Sequence, residues 1–209
     1  MYRFQYISQG QTPEEHLSNC KKVLTAGVKW IQLRMKNFPD EIVEKTALEV
    51  QSFCTQSGAT FILNDNVNLA KKINADGVHL GLTDTAITEA RLILGQNKII
   101  GGTANTVEDV VQRIEERCDY IGLGPYRFTS TKDKLSPILG LEGYRAILNR
   151  LDDGHRKTPI VAIGGIQVED ISAILETGIC GIALSGILTN SKNKKEIVER
   201  INTILYDPA

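Results

Sequence analysis

The sequence predicts an α/β protein of the (β/α)8, or TIM, barrel type, folded as a single domain over residues 1–209. Three observations predict it. Eight short β-rich runs recur along the 209-residue chain, and each is followed by an amphipathic helical stretch. The length suits one barrel-sized domain. No GxGxxG follows the first run, which weighs against the runner-up, an open doubly wound sheet.

The expected strands, in order, are FQYIS from Phe4, WIQLR from Trp30, TFILN from Thr60, GVHLG from Gly77, KIIGG from Lys98, YIGLG from Tyr120, PIVAIG from Pro159 and GIALS from Gly181. Helical patterns run from Pro13 to Leu24, Asp40 to Cys54 and Val107 to Arg117. In the last of these, Val107, Val110, Val111 and Ile114 recur at spacings of three and four. Thr12 before Pro13 and Thr106 before Val107 are N-cap residues, with Glu14, Glu15, Glu108 and Asp109 in the first turns. Gly27, Gly58, Gly95 and Gly178 mark helix stops. The longest interval between strands, Tyr120 to Pro159, contains the polar stretch PYRFTSTKDKLSPILG. An insertion following a barrel strand belongs on the active face.

Composition narrows the function. With 24 basic against 25 acidic residues the net charge is -1, so no excess serves a nucleic acid. Aromatics at 6% leave few stacking platforms for single strands. Any phosphate is therefore held by local placement of charge. No apolar run approaches the roughly 18 residues of a membrane span, and MYRFQYISQG lacks the apolar stretch of a signal peptide. Cys20, Cys54, Cys118 and Cys180 form no CxxC and have no histidine near them in sequence. They are expected to be buried, reduced thiols of a cytoplasmic protein. Small molecules, not nucleic acid or membrane, are the expected partners; the oligomeric state stays open.

The polar residues collect where barrel enzymes place their chemistry, at the C-terminal ends of strands. In strand two, period-two alternation puts Gln32, Arg34 and Lys36 on one face and Ile31, Leu33 and Met35 on the other. The apolar set meets the helices, so the polar set points into the barrel mouth. Two cations there need an anion: a ligand, or internal pairing with Asp65 or Asp84. Strand three ends in Asn64-Asp65, strand four near His79, and Asp84 follows. Two carboxylates beside an amide suit Mg²⁺ sharing its shell with water and phosphate oxygens, although Asp84 before Thr85 also fits a helix cap. His79 reads as a hydrogen-bonded core residue more readily than as a ligand. Gly101-Gly102-Thr103 offers a backbone and a hydroxyl to a phosphate. Thr129-Ser130-Thr131-Lys132 forms a donor-rich loop, which is otherwise a solvated surface loop. Ile163-Gly164-Gly165 and Leu184-Ser185-Gly186 end strands seven and eight, the usual phosphate cradle of such barrels; a tight strand-to-helix turn needs the same glycines. There is no GxSxG, HExxH or P-loop. Donors, cations and a carboxylate pair fit charge stabilisation of phosphates better than covalent catalysis.

The motifs QLRMK, LNDNVNLA, ADGVHLG, DYIGLGP, TSTKDK with LGLEG, and AIGGI with GIALS occur in the order of the thiamine phosphate synthase family. The chain resembles that family from about Trp30 to Leu188. TxTK followed by GLEG, and ND followed by ADGVHLG, are the more specific signals; AIGGI is shared by many phosphate-binding barrels. The resemblance implies a (β/α)8 transferase that uses Mg²⁺ to join hydroxymethylpyrimidine diphosphate to a thiazole phosphate. It implies that Gln32, Leu33, Arg34, Met35, Lys36, Asn64, Thr103 and Lys132 hold the pyrimidine diphosphate. It assigns Asp65 and Asp84 to the metal, and Thr129, Ser130, Thr131, Gly165, Leu184 and Ser185 to the thiazole phosphate. Arg34 and Lys132 act electrostatically, with no covalent nucleophile. Departures from the family pattern are Met35 for Glu, Leu82 for Gln, Thr103 for Ser, and Arg127-Phe128 for Phe-Pro. The alternatives are a thiazole tautomerase of related type and a phosphate-ligand-binding barrel without turnover.

Overall fold

In the computed structural model, which describes residues 2–128, 137–152 and 154–207, all eight expected strands form. They are β1 (Phe4–Ile7), β2 (Trp30–Leu33), β3 (Thr60–Asn64), β4 (Gly77–Leu80), β5 (Ile99–Ala104), β6 (Tyr120–Leu123), β7 (Ile160–Ile163) and β8 (Gly181–Leu184). Each pairs in parallel with its sequence neighbour, and β1 pairs with β8, which closes the barrel.

Helices fill the intervals: α1 (Pro13–Thr25), α2 (Asp40–Ser57), α3 (Val67–Lys72), α4 (Ile87–Leu94), α5 (Val107–Glu115), α6 (Gly140–Asn149), α7 (Ile171–Glu176), α8 (Gly186–Asn190) and α9 (Lys194–Tyr206). The expected caps are in place. The Thr12 side chain accepts from the Glu15 amide at 3.2 Å. Thr106 and Asp109 close a reciprocal capping box that satisfies two orphan amides of α5.

Strand alternation sorts the side chains into two cores. Ile31 and Leu33 of β2, Phe61 and Leu63 of β3, and Val78 and Leu80 of β4 face outward into the layer shared with the helices. Trp30, Ile62, Tyr120, Val161 and Ala183 face inward and fill the barrel. Truncating one such buried aliphatic side chain to alanine costs about 2–5 kcal/mol. The Tyr120 ring needs room inside, and Gly101 supplies it: a Cβ there would lie 2.1 Å from Tyr120 Cζ. Gly102 faces the other way, where a Cβ would meet Arg113 and Cys118 at 2.8 Å. These two glycines therefore serve packing on the two faces of β5. Cys20, Cys54 and Cys118 are buried free thiols, but Cys180 is exposed, contrary to expectation. Among the described residues no helix is long and apolar enough to cross a membrane.

Candidate active site

The C-terminal ends of β1, β2, β7 and β8 line a cavity of about 660 Å³; Asn64, Asp65, Asp84 and Thr103, at the ends of β3 to β5, do not line it. Arg34 and Lys36 line one side of it; Gly164, Gly165, Leu184 and Ser185 line the other. Two groups of residues that the sequence marks as anion-binding candidates thus border one opening.

On the β2 side, alternation works as the sequence indicates. The Leu33 and Met35 side chains are buried among the helices, so only their backbone is available to a ligand. Gln32 is buried inside the barrel, and its Nε2 donates to Asn64 Oδ1 at 2.7 Å. Its Oε1 is buried and has no hydrogen-bond partner. A buried acceptor left unpaired costs about 1–3 kcal/mol, so this atom is suited to a ligand N–H. Ser8 steadies the start of the cationic segment: its Oγ accepts the Arg34 amide at 2.9 Å and lies 2.9 Å from His16 Nδ1. Burial holds the His16 pKa below its ordinary value, which favours the neutral ring.

The carboxylates Asp65 and Asp84 meet at the next strand ends. Asp65 follows β3 in a left-handed conformation (φ 64°) that Asp tolerates better than most side chains. Its amide donates to the His79 carbonyl at 2.9 Å. Asp84 follows β4 and accepts the Gly81 amide at 2.6 Å. It does not cap α4, whose N-cap is Ala86 with no side-chain bond. Desolvation, then the hydrogen bond and charge of Asp84, push the Asp65 pKa up to about 6; Lys36 and Arg34 oppose that rise. Lys36 Nζ lies 3.6 Å from Asp65 Oδ2, so the internal ion pair weighed from sequence is present, in a half-exposed setting. Two hard oxygen donors that repel one another fit a divalent cation placed between them. Among the described residues no group of three or more His, Cys, Asp or Glu side chains is placed to hold a metal. The remaining ligands of an octahedral Mg²⁺ would be water and substrate oxygens.

Behind the carboxylates a polar chain crosses the barrel. Gln5 Nε2 donates to Tyr120 Oη at 3.2 Å, Tyr120 Oη meets His79 Nδ1 at 2.9 Å, and His79 Nε2 meets Thr103 Oγ1 at 3.0 Å. Tyr120 accepts from Gln5, which leaves its proton free to be donated to His79 Nδ1. In the tautomer that carries its proton on Nε2, His79 donates to Thr103 Oγ1. The sequence marked His79 as a core residue but gave no sign of this relay, because its members come from four strands.

On the opposite rim Gly164 and Gly165 take positive φ (98° and 69°). Arg127 packs over them: its amide donates to the Gly164 carbonyl at 2.9 Å and its Nη1 to the Gly165 carbonyl at 3.0 Å. Both guanidinium arms also reach Asp170 at 2.8 Å, and this pairing holds the Asp170 carboxyl below its ordinary range against the effect of burial. Ser185 Oγ donates to Gln9 Oε1 at 3.3 Å. The expected site residues Thr129, Ser130, Thr131 and Lys132 lie outside the described residues. Burial pushes the Cys54 and Cys118 thiols up to about 12, so neither supplies a thiolate.

A closed parallel barrel carrying cations, paired carboxylates and a glycine turn around one mouth belongs to the class of phosphate-handling (β/α)8 enzymes. Comparison with known proteins narrows that class. The family model described as thiamine monophosphate synthase matches residues 5–188. The chain is similar to the thiamine-phosphate synthase of Flavobacterium psychrophilum, 56% identical over 200 residues that cover 96% of this chain and 97% of the relative. It is similar to that of Bacteroides thetaiotaomicron, 50% identical over 193 residues and 92% of each chain. Among solved structures it resembles the thiamine phosphate pyrophosphorylase from Pyrococcus furiosus with a TM-score of 0.83 and 26% identity, covering 98% of this chain and 96% of that one. The chain belongs to the thiamine monophosphate synthase family, and it is a transferase.

Proposed function

We propose that this enzyme joins hydroxymethylpyrimidine diphosphate to a thiazole phosphate, carboxylated or not, by a dissociative displacement assisted by Mg²⁺ held at Asp65 and Asp84. The products are thiamine monophosphate and diphosphate, together with carbon dioxide when the thiazole carries its carboxylate. The observation that carries the reading is the single cavity bordered by Arg34 and Lys36 on one side and by Gly165 and Ser185 on the other. Two phosphorylated substrates bound there have their reacting ends facing each other.

The pyrimidine lies over Gln32, Asn64 and Thr103. The unpaired Gln32 Oε1 accepts from the ring amino group, and the Thr103 hydroxyl donates. The amino group pushes electron density toward the exocyclic methylene, so the C–O bond to diphosphate breaks and leaves a stabilised cation. Arg34, Lys36 and Lys132 neutralise the departing diphosphate. The chemistry a bound Mg²⁺ supplies is further neutralisation of that charge. The backbone amides at Gly165 and Ser185, with Thr129, Ser130 and Thr131, hold the thiazole phosphate so that the ring nitrogen is in line with the methylene. The nitrogen lone pair forms the new C–N bond and no proton is transferred, consistent with a site built without a dedicated base.

The test is direct. The protein is incubated with both substrates and Mg²⁺, and thiamine monophosphate is measured chromatographically alongside released diphosphate. Equimolar formation of the two is expected, with none when either substrate is omitted. Absence of thiamine monophosphate from the complete mixture would overturn the reading.

A further inference from the structure

We infer that Arg113, on the outer layer of the barrel, is a positioning residue for the Mg²⁺ and pyrimidine side of the active site, acting through the carbonyls of Gly81 and Thr103. The inference rests on the metal role proposed above for Asp65 and Asp84.

Arg113 sits on α5 and does not line the cavity. Its side chain is nonetheless almost fully buried, at 4% exposure. Arginine on a surface helix ordinarily keeps its head in water, and burial is tolerated only when the fork is fully engaged. Here it is. Nη1 donates to Glu116 Oε2 at 2.7 Å, Nε to the Thr103 carbonyl at 3.1 Å and Nη2 to the Gly81 carbonyl at 3.0 Å. Glu116, three residues along, is the counterion.

The two carbonyl partners belong to neighbouring strand ends. The Gly81 amide grips Asp84, and the Thr103 hydroxyl is the last member of the polar chain through His79. One planar group thus holds the loop carrying a carboxylate and the strand end carrying a donor in a fixed relation. A bond to β5 alone would suffice to anchor α5. The Nη2 arm instead reaches past β5 to the loop after β4. The path is kept open by Gly102, since any Cβ there would lie 2.8 Å from Arg113 Cδ. Guanidinium geometry is required, because a lysine has one nitrogen and cannot span two carbonyls and a carboxylate.

The test compares wild type with Arg113→Met and Asp84→Asn. Mn²⁺ binding in the presence of inorganic diphosphate is followed by electron paramagnetic resonance. Hydrogen exchange at the Gly81 amide is followed by NMR without metal, and KM is measured for each substrate. Arg113→Met is expected to weaken Mn²⁺ binding about tenfold, as loss of an outer partner of a metal ligand does. Gly81 exchange and the KM for the pyrimidine diphosphate should rise, and the KM for the thiazole phosphate should stay unchanged. A uniform loss of stability with none of these shifts would overturn the inference. If Asp84→Asn weakens Mn²⁺ binding and Arg113→Met does not, the inference fails alone. If Asp84→Asn leaves Mn²⁺ binding at the wild-type level, the metal assignment fails and takes the inference with it. Should Arg113→Met not fold, Arg113→Lys carries the same test, and wild-type Mn²⁺ affinity and Gly81 exchange in that variant would overturn the proposal.

Discussion

Replacing Gly165 by alanine should damage binding of the thiazole phosphate and little else. The residue has φ 69°, where an L side chain costs about 1–2 kcal/mol. The new Cβ would also lie 2.9 Å from the Phe128 carbonyl oxygen and 3.0 Å from Arg127 Cβ. Neither neighbour is the free end of a flexible side chain. Phe128 presents backbone, and Arg127 is held by the hydrogen bond its amide donates to the Gly164 carbonyl and by its two-armed pairing with Asp170. The glycine turn must therefore move, and its amides move away from the phosphate. A hydrogen bond to a charged group is worth about 1.5–3 kcal/mol, so losing one raises KM for thiazole phosphate by about 10- to 100-fold. The contact is the same in ground and transition states, so kcat at saturation should hold. Initial rates with each substrate varied against a saturating level of the other separate these effects. A variant with unchanged KM for thiazole phosphate and a raised KM for pyrimidine diphosphate would refute the assignment of this turn.

Four other outcomes follow from the site. The folded-state pKa of Asp65, about 6, lies above its ordinary 3.8, so ionising Asp65 disfavours the metal-free fold. Its contribution to stability is complete below that ordinary value and is lost as pH rises through 6. Urea melts of the metal-free protein between pH 4 and 7 should show this decline, Asp84→Asn should flatten it, and Mg²⁺ should oppose it most at the upper end. Asp65→Asn should lower activity in a way that excess Mg²⁺ partly restores. Lys132→Ala should lose roughly 3 kcal/mol of transition-state stabilisation, about a hundredfold in single-turnover rate with both substrates saturating, as for one preorganised electrostatic donor. Wild-type chemistry in that variant would leave Lys132 no part in the reaction. Tyr120→Phe removes the proton that fixes His79 and should cost about 1 kcal/mol of stability. It should also raise KM for the pyrimidine diphosphate, with no added effect from a second substitution, Thr103→Val; additive effects would show that the relay does not act through Thr103.

Much of this molecule was legible in the chain because it rests on local periodicity. Two-residue alternation in β2 assigned Gln32, Arg34 and Lys36 to the barrel mouth and Leu33 to the helix layer. Capping chemistry marked the starts of α1 and α5. Strand ends in a parallel barrel all point the same way, so residues far apart in sequence, such as Asp65 and Ser185, were placed on one face by topology alone. What remained hidden depends on which side chains meet across the barrel. Gly101 and Gly102 look like a phosphate turn in sequence, but one makes room for Tyr120 and the other for Arg113. No spacing rule pairs Gln5 with Tyr120, or Arg113 with a carbonyl 32 residues away. Arg113 in an amphipathic helix reads as solvated, because sequence carries the cost of burying a charge but not the partners that offset it. The raised pKa of Asp65 arises the same way, from desolvation and from the approach of Asp84, and both exist only once the barrel has closed.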